Sequence, residues 1–266
     1  MENTDLASQI EGARAYDSLF VPALFGQWAS VLSQKLDLSS KLSVLDVACG
    51  TGILAREIFR SLEKSGRVVG LDPNLGMLAV AEEHESRIEW KQGVAESLPF
   101  DSNVFDMVLC QFGLMFFEDS QAAIKEFLRV LKPNGVLTLA VWDSIDNIPG
   151  YQTEHEIIKN IAGEDAAHAV AVPFNMGNKT KLQDLLVKAG ATNVKVETHR
   201  GVARFPDIST MVNAELRGWL PIMGIQLDES VIQEILLEAE SEMSKYTSIE
   251  KTVEFEITAH IATATN

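Results

Sequence analysis

The sequence predicts an α/β fold in which helices cover both faces of a mostly parallel sheet. Apolar segments of strand length alternate with amphipathic segments of helix length between residues 43 and 142. The strand segments are almost continuously apolar, as expected for parallel strands that are buried on both faces. A glycine turn at residues 50–52 joins the first strand to the first helix. We therefore expect a ligand to bind where the strands end.

Five strands and three helices are predicted in this part of the chain. The strands lie near residues 43–48, 67–72, 88–92, 104–111 and 135–142, and the helices near 53–64, 75–85 and 120–131. Apolar residues with the spacing of one helix face show the third helix most clearly: Ile124, Phe127, Leu128 and Leu131. Another apolar helix is predicted upstream, over residues 18–36.

The C-terminal half follows a different pattern. One helix is predicted near residues 152–162 and another near 179–189. Alternation of apolar and polar residues predicts strands over 192–200 and 253–261, each with one wetter face. Between these two strands, residues 207–250 are typical of two helices.

The segment 44–52 is a predicted strand that runs into a glycine turn and then a helix. Glycine lets the backbone approach a ligand closely, and the N-terminus of the helix presents unpaired N–H groups. The next strand ends in Asp72, 20 positions after Gly52. Strand, glycine turn, helix, strand and acid together form a nucleoside-binding layout.

Two classes of cofactor fit this layout. Residues 50–55 satisfy the loose dinucleotide pattern G-x-G-x-x-A, and an acid such as Asp72 commonly binds the ribose of NAD. Asp46, however, lies four residues before Gly50, where a carboxylate would repel a pyrophosphate. S-adenosylmethionine carries a sulfonium and an ammonium and no phosphate. An NAD-dependent oxidoreductase stays as the alternative.

The glycine-turn segment resembles motif I of the class I S-adenosylmethionine-dependent methyltransferases. The nearest subgroup is the ubiquinone and menaquinone biosynthesis type, and the resemblance is dense over residues 41–143. Four later segments agree with the family in order and spacing: 70–78 with its second-strand motif, 93–100 with its adenine-binding loop, 105–109 with the start of its fourth strand and 131–137 with the approach to its fifth.

The resemblance implies a Rossmann-like sheet of seven strands in the order 3-2-1-4-5-7-6, with strand 7 antiparallel. A helical cap would then be inserted between strands 6 and 7, which departs from the subgroup. The sequence does not choose between a lid over the substrate and the interface of a homodimer. The implied divisions are N-terminal lid or packing helices over 1–40, the cofactor-binding core over 41–143, the rest of the core with part of the cap over 144–206, the cap insertion over 207–250 and the last strand over 251–266.

The resemblance also assigns contacts to S-adenosylmethionine. Asp72 is expected to accept hydrogen bonds from both ribose hydroxyls, Asp46 to lie near the ammonium and Glu96 to accept from the adenine amine. A helix cap is the competing interpretation of Asp72. The other predicted contacts are Ala48, Gly50, Thr51, Gly52, Pro73, Met77, Val94, Ala95, Gln111 and Phe112.

The acceptor side carries no motif, so neither the methylated atom nor a catalytic base can be assigned. The candidates for an apolar acceptor pocket are Tyr16, Phe20, Phe25, Trp28, His155 and Trp219. His260 is expected on the polar face of its strand. No cluster of His, Cys and carboxylate residues has the spacing of metal ligands, so no metal is predicted.

Composition narrows the function further. The net charge of −16 argues against nucleic acid as a partner, because phosphate binding requires a basic surface. Neither a signal peptide nor an apolar run of membrane-spanning length is apparent. Cys49 and Cys110 fit reduced thiols. We therefore expect a cytoplasmic methyltransferase of a small molecule, and a non-catalytic S-adenosylmethionine-binding protein is the second alternative.

Overall fold

Seven strands form a single sheet. The computed structural model describes residues 5–38, 41–62 and 66–266. The strand order β3-β2-β1-β4-β5-β7-β6 confirms the order implied by the family resemblance. The strands are β1 (Ser43–Val47), β2 (Arg67–Asp72), β3 (Glu89–Gln92), β4 (Phe105–Gln111), β5 (Leu131–Trp142), β6 (Thr192–Phe205) and β7 (Val253–Thr265).

Helices connect most of the strands. Two π-helical segments, Val21–Phe25 and Ala214–Trp219, continue the helices on either side of them. No helix in the described part of the chain is both long enough and apolar enough to cross a membrane. The helices are α1 (Leu6–Phe20), α2 (Gly26–Lys35), α3 (Ile53–Ser61), α4 (Leu75–His84), α5 (Ser120–Val130), α6 (Pro149–Ala162), α7 (Glu164–Ala171), α8 (Lys179–Ala189), α9 (Ile208–Asn213), α10 (Leu220–Ile222) and α11 (Glu229–Glu242).

The parallel strands bring their carboxyl ends to one edge. Strand β1 pairs in parallel with β2 and β4, so that Val44 lies opposite both Val68 and Met107. Strand β3 continues the sheet beyond β2, and β5 continues it beyond β4, again in parallel. Because the register is nearly level, Asp72 at the end of β2 and Gln111 at the end of β4 share an edge with the glycine turn after β1.

Strand β7 is antiparallel to its neighbours, as predicted. The Asn266 N–H donates to the Gly135 carbonyl at 3.1 Å, and the Asp143 N–H donates to the Thr258 carbonyl at 3.0 Å. The end of β7 therefore lies beside the start of β5, and an earlier part of β7 lies beside the end of β5, so the two strands run in opposite directions. Pairs with β6 run the same way: Thr192 with Thr265, Thr198 with His260 and Arg204 with Glu254.

The solvent-exposed face expected on β7 is present only in the first part of the strand. Glu254 is exposed, whereas Thr258 and His260 are buried. Thr258 Oγ1 donates to Asp143 Oδ2 at 3.1 Å, and His260 Nδ1 lies 3.0 Å from Thr198 Oγ1. The prediction for His260 was wrong because residues 257–262 are all buried, so that both faces of this part of β7 are covered.

Short polar side chains begin four of the helices. Asp5, Asn74, Asp119 and Asp207 each accept a hydrogen bond from the N–H three residues ahead, at 2.6 to 3.1 Å. Such bonds satisfy N–H groups that have no partner within the helix. Asn74 is therefore the N-cap of α4, and the helix-cap interpretation of Asp72 was wrong.

Two helices differ from the predicted elements. The single helix expected over 18–36 consists of the end of α1, a π-helical segment and α2. Pro22 lies inside the π-helical segment. A π-helical turn accommodates a residue that cannot donate a backbone hydrogen bond. Helix α7 was not predicted, because its eight residues are too few to display a period.

The chain divides into two compact units. Unit 1 consists of Met1–Val141, Lys179–Thr198 and His260–Asn266, and unit 2 of Trp142–Asn178 and His199–Ala259. Unit 1 contains the parallel strands up to Val141 together with α1 to α5 and α8. Unit 2 contains α6, α7 and the helices between β6 and β7. These last helices are the predicted insertion, whereas the limits of the predicted divisions stay predictions.

Candidate functional site

Positive φ angles shape the turn after β1. The φ angles of Ala48, Gly50 and Gly52 are 56°, 55° and 83°. Residues with a side chain rarely adopt this region, which glycine enters without steric cost. The small residues extend to the turn after β4, because a Cβ built on Gly113 would lie 2.5 Å from the Ala48 Cβ. Side chains are thus kept small on both sides of this turn.

Gly52 and Gly70 make room for the ring of Trp90. A Cβ on Gly52 would lie 2.4 Å from Trp90 Cη2, and one on Gly70 would lie 2.3 Å from Cζ3. Trp90 Nε1 donates to the Glu85 carbonyl at 3.0 Å, which fixes the ring. The space expected for a ligand at the Cβ of Gly52 is therefore occupied by a side chain that the sequence analysis missed. The signal for it is the pairing of Trp90 opposite Gly70 across β2 and β3.

Asp72 is buried at the end of β2 and braces the glycine turn. Its Oδ2 accepts the Gly50 N–H at 2.9 Å, and its Oδ1 accepts the Asn74 N–H at 2.9 Å. Burial raises the pKa of Asp72, while these two N–H groups oppose the increase. A carboxylate oxygen accepts more than one hydrogen bond. Asp72 can therefore also bind the hydroxyl groups of a ligand.

Asp46 has an acceptor atom that the protein leaves unsatisfied. The side chain is 1% exposed, and its Oδ2 accepts the Ala55 N–H at 3.0 Å. Its Oδ1 is buried and has no hydrogen-bond partner among the described residues. Burial raises the pKa of Asp46 to about 8, the Ala55 N–H lowers it, and the charge of Asp72 raises it. A cationic N–H donor would satisfy this oxygen.

Gln111 shows the same feature at the end of β4. Its Nε2 donates to the Phe25 carbonyl at 3.3 Å. Its Oε1 is buried and has no hydrogen-bond partner in the part of the chain that the structure describes. Buried polar atoms without a partner are uncommon in folded proteins and require an explanation. A ligand that brings hydrogen-bond donors to this edge would provide one.

Helix α1 is tied to the glycine turn. Thr51 Oγ1 donates to Asp17 Oδ1 at 2.5 Å, and Asp17 Oδ2 lies 2.8 Å from His84 Nε2 on α4. A Cβ on Gly50 would lie 3.9 Å from the Tyr16 hydroxyl oxygen. Thr51 is 1% exposed. Since its hydroxyl is engaged by Asp17, a ligand contact of Thr51 would use its backbone.

Four of the six predicted acceptor-pocket residues come together in unit 1. Tyr16 stacks on Phe25 with ring centroids 5.5 Å apart and lies 5.9 Å from Phe20. Phe112, a predicted cofactor residue, lies 5.7 Å from Phe25 and 5.9 Å from Trp28. These five rings, which we call the aromatic cluster, join α1, α2 and the turn after β4.

The other two acceptor-pocket candidates belong to unit 2. His155 lies on α6 and is half-buried. Trp219 ends the second π-helical segment, and its Nε1 donates to the Ala169 carbonyl at 2.8 Å. Their assignment to an acceptor pocket stays a prediction.

Glu96 links the loops that follow β3 and β4. Its Oε1 accepts the N–H groups of Glu118 at 3.0 Å and Asp119 at 3.4 Å. Its Oε2 makes no hydrogen bond to any described residue, so this oxygen is the one a ligand would use. The Pro73 carbonyl accepts from Gln92 Nε2 at 3.1 Å. The remaining predicted contacts differ in exposure: Ala95 is buried, Met77 is half-buried and Val94 is exposed.

Both cysteines are buried and free. Burial raises the pKa of the Cys110 thiol to about 12 and that of Cys49 well above its ordinary value, and the charges of Asp46 and Asp72 raise both further. A thiol needs its thiolate form to act as a nucleophile, so these two are structural. Among the described residues, no group of three or more His, Cys, Asp or Glu could hold a metal ion.

The donor and acceptor set fits S-adenosylmethionine. The acceptors on Asp46 and Gln111 lack donors, and the ammonium and sulfonium of that cofactor are positively charged. A diol such as the ribose suits the carboxylate of Asp72. The pyrophosphate of NAD would instead bring further acceptor oxygens to the unsatisfied oxygen of Asp46 and to the carboxylate of Asp72, and would satisfy neither.

Several known proteins that are similar to the chain in sequence are methyltransferases. A family model described as a methyltransferase domain matches residues 45–139. The demethylmenaquinone methyltransferase of Staphylococcus carnosus is 34% identical over 188 residues, which are 65% of this chain and 78% of that enzyme. The 2-phytyl-1,4-naphtoquinone methyltransferase of Thermosynechococcus vestitus is 36% identical over 129 residues, which are 46% of this chain and 57% of that enzyme.

A solved structure agrees with the fold over nearly the whole chain. The phospholethanolamine N-methyltransferase 2 of Haemonchus contortus, in complex with phosphomonomethylethanolamine and S-adenosylhomocysteine, has a TM-score of 0.59 and 15% identity. The match covers 97% of this chain and 57% of that one. At this identity the similarity concerns the fold alone.

The sheet order and the carboxylate-lined glycine turn define a class I methyltransferase fold. The chain belongs to the class I S-adenosylmethionine-dependent methyltransferases of the quinone-biosynthesis type. It is an enzyme that transfers a methyl group from S-adenosylmethionine to a small molecule. The comparisons give no support to an NAD-dependent oxidoreductase or to a non-catalytic binding protein.

Proposed function

We propose that the acceptor is a quinone-type aromatic molecule, bound as its reduced form. The observation that carries this proposal is the 34% identity to a demethylmenaquinone methyltransferase across 78% of that enzyme. The aromatic cluster supports it, because neighbouring aromatic rings favour offset or edge-on contact with a further ring. Positioning in a dry pocket supplies most of the rate in our proposal, since no base is assigned.

The proposed cofactor contacts follow from the unsatisfied atoms at the carboxyl edge. Asp46 Oδ1 accepts from the ammonium, Asp72 from the ribose hydroxyls and Glu96 Oε2 from the adenine amine. When bound, S-adenosylmethionine supplies a methyl group on a cationic sulfur. Further proposed contacts are Ala48, Gly50, Thr51, Gly52, Pro73, Met77, Val94, Ala95, Gln111 and Phe112. Gln111 Oε1 supports its place in this set, because it is buried without a donor.

We also propose a cytoplasmic location, supported by two cysteines that are free rather than paired. Nucleic acid is not a proposed partner, because the net charge is −16. A homodimer through the helices between β6 and β7 is proposed from the sequence alone. Sedimentation equilibrium at micromolar concentration tests it, and a monomer mass would refute it.

Methyl transfer to a reduced naphthoquinone with a prenyl side chain tests the acceptor. We expect mass spectrometry to find one added methyl group when the enzyme and isotopically labelled S-adenosylmethionine are present. Phosphoethanolamine is the control acceptor, and no product is expected from it. Labelled product from the amine and none from the naphthoquinol would contradict the proposed acceptor.

Calorimetry tests the cofactor site independently of the acceptor. We expect S-adenosylmethionine and S-adenosylhomocysteine to bind and NADH not to bind. Affinity for NADH without affinity for the other two would contradict the proposed contacts of Asp46 and Asp72.

A further inference from the structure

Unit 2 contains two buried glutamates that the cofactor site does not use. Glu154 lies on α6, and Glu215 lies in the second π-helical segment. Both occupy positions where helical spacing calls for an apolar residue. The buried residues of α6 are Gly150, Tyr151, Glu154, Ile157 and Ile158, and those running from α9 into the π-helical segment are Ile208, Met211, Val212, Glu215 and Leu216.

The carboxyl group of Glu154 has no partner. The residue is 1% exposed, and both of its oxygens are enclosed without a hydrogen bond among the described residues. Glu215 is 8% exposed. Buried charged groups are ordinarily paired or hydrogen-bonded, so an enclosed carboxyl group without a donor marks a position that a ligand can complete.

The charge of Glu215 acts on Glu154, and the charges of both glutamates act on Tyr151. Burial raises the pKa of Glu154 well above its ordinary value, and the charge of Glu215 raises it further. Burial raises the pKa of Glu215 to about 7. Burial and then the charges of both glutamates raise the pKa of Tyr151. The three groups therefore lie within electrostatic reach of one another, and we refer to Glu154 and Glu215 as the pair.

The lysine of α6 and the arginine that follows Glu215 form ion pairs with other residues. Lys159 on α6 pairs with Glu164 at 2.9 Å. Arg217, two positions after Glu215, pairs with Glu229 at 2.7 Å. The positive charge nearest in sequence to each glutamate is thus committed to another carboxylate.

Aromatic side chains lie beside the pair, and a π-helical turn carries one of its members. The Tyr151 ring is 5.1 Å from that of Phe174 and 5.7 Å from that of Phe255. π-helical turns occur frequently at functional sites, because the extra residue redirects the side chains of a helix. Here the redirected stretch begins one residue before Glu215.

We infer that Glu154 and Glu215 form a binding site within unit 2 for the hydrogen-bond-donating group of a small aromatic molecule. The donor is a hydroxyl or a protonated amine, which Glu154 would accept with oxygens that now lack a partner. Apolar and aromatic residues around the pair suit the rest of such a molecule. The inference concerns unit 2 alone and does not depend on the proposed quinone acceptor.

Three naphthalene probes test the inference by calorimetry on the full chain. They carry a hydroxyl, an aminomethyl or a methoxy group at the same ring carbon, so that only the last lacks a donor. We expect the wild-type protein to bind the hydroxyl or the aminomethyl probe about tenfold tighter than the methoxy probe, the scale of one hydrogen bond. The tighter of the two identifies the donor.

Two near-isosteric variants and one control complete the test. E154Q and E215Q should lose most of the preference over the methoxy probe, because an amide offers one acceptor oxygen in place of two and adds an NH₂ group that opposes a donor. E156Q, an exposed position on α6, should keep it. Equal binding of all three probes, or a preference that survives in E154Q and E215Q, would overturn the inference.

A purely structural role gives a different result. If the two carboxyl groups contribute only to the stability of unit 2, E154Q and E215Q will change the melting temperature and leave the preference intact, which also overturns the inference. Methyl transfer to the naphthoquinol is measured separately. Its failure would refute the proposed acceptor without altering the probe preference.

Discussion

Asp46 combines a cost to folding with an acceptor atom that a ligand could satisfy. Its Oδ1 is enclosed without a donor, and its carboxyl group holds a proton up to a pH of about 8. Keeping such an oxygen unsatisfied costs about 1–3 kcal/mol in folded proteins. A ligand ammonium would recover that energy on binding. The cost is thus consistent with a role in binding rather than in packing.

Replacing Asp46 should change how stability depends on pH. The folded pKa of about 8 lies above the ordinary 3.8, so between these values the unfolded chain has lost a proton that the folded chain still holds. The free energy of unfolding therefore falls as the pH rises through this window. D46N lacks the titrating group, so its melting temperature should fall less over the same range. Parallel melting curves across pH for the two proteins would contradict the shift.

Replacing Asp72 should weaken the binding of the cofactor. D72A is expected to lose about 1.5–3 kcal/mol of binding free energy for S-adenosylhomocysteine, the scale of hydrogen bonds to a charged group. Calorimetry measures the loss. E82A, an exposed change on α4, is the control. Unchanged affinity in a folded D72A protein would show that the ribose lies elsewhere.

Residues were predictable where one short segment of sequence determines them. Asp46 and Asp72 could be found from their spacing to the glycines. The position of Trp90 beside the glycines could not be predicted, because it depends on the pairing of Trp90 with Gly70 across β2 and β3. That pairing becomes known only with the register of the two strands. Glu154 could not either, since its burial depends on how α6 packs within unit 2.

At the scale of elements, the crossing of α1 and α4 depends on one glycine. A Cβ on Gly76 would lie 2.3 Å from the backbone of Gln9. No real Cβ approaches backbone so closely, so any larger residue must push the two helices apart. The crossing in turn positions Asp17, which binds both Thr51 and His84.

Two alanine substitutions on these helices should have opposite effects. G76A is expected to lower the free energy of unfolding by about 1–3 kcal/mol, because overpacking outweighs the better helix propensity. G12A, on α1 with no other atom within 4 Å of the built Cβ, should raise it by about 0.5–1 kcal/mol. Urea denaturation measures both. Changes of the same sign would contradict the close crossing.

The strands of the sheet were easier to predict than the helices around them. Long apolar runs such as those of β4 and β5 are sufficient evidence for buried parallel strands. Alternation on β7 indicated the strand correctly but its burial incorrectly, because both faces of the strand are covered at Thr258 and His260. Helix α7 has too few residues for its period to be seen.

At the scale of the whole molecule, the net charge of −16 acts on stability. Like charges repel most in the compact state, and this repulsion weakens as salt shortens the Debye length. Most ion pairs in the described residues are exposed, so screening them costs little. Added salt therefore weakens the repulsion between like charges more than it weakens the ion pairs, and it stabilises the folded state.

Melting temperature should therefore rise by a few degrees between about 0.01 and 0.15 M sodium chloride. Calorimetric melting at fixed pH measures the change. Sucrose at the same osmolality is the control and should not reproduce it. A flat or falling melting temperature would show that repulsion between the acidic groups is unimportant.

Cys49 and Cys110 have a practical consequence. Both thiols are enclosed, and burial together with the charges of Asp46 and Asp72 keeps them protonated. A maleimide dye reacts with accessible thiolate, so neither native cysteine should take up the label. A single cysteine introduced on the surface would then carry a fluorophore at one chosen position. Conformational fluctuations during turnover could be followed by single-molecule fluorescence in a protein that retains both of its native cysteines.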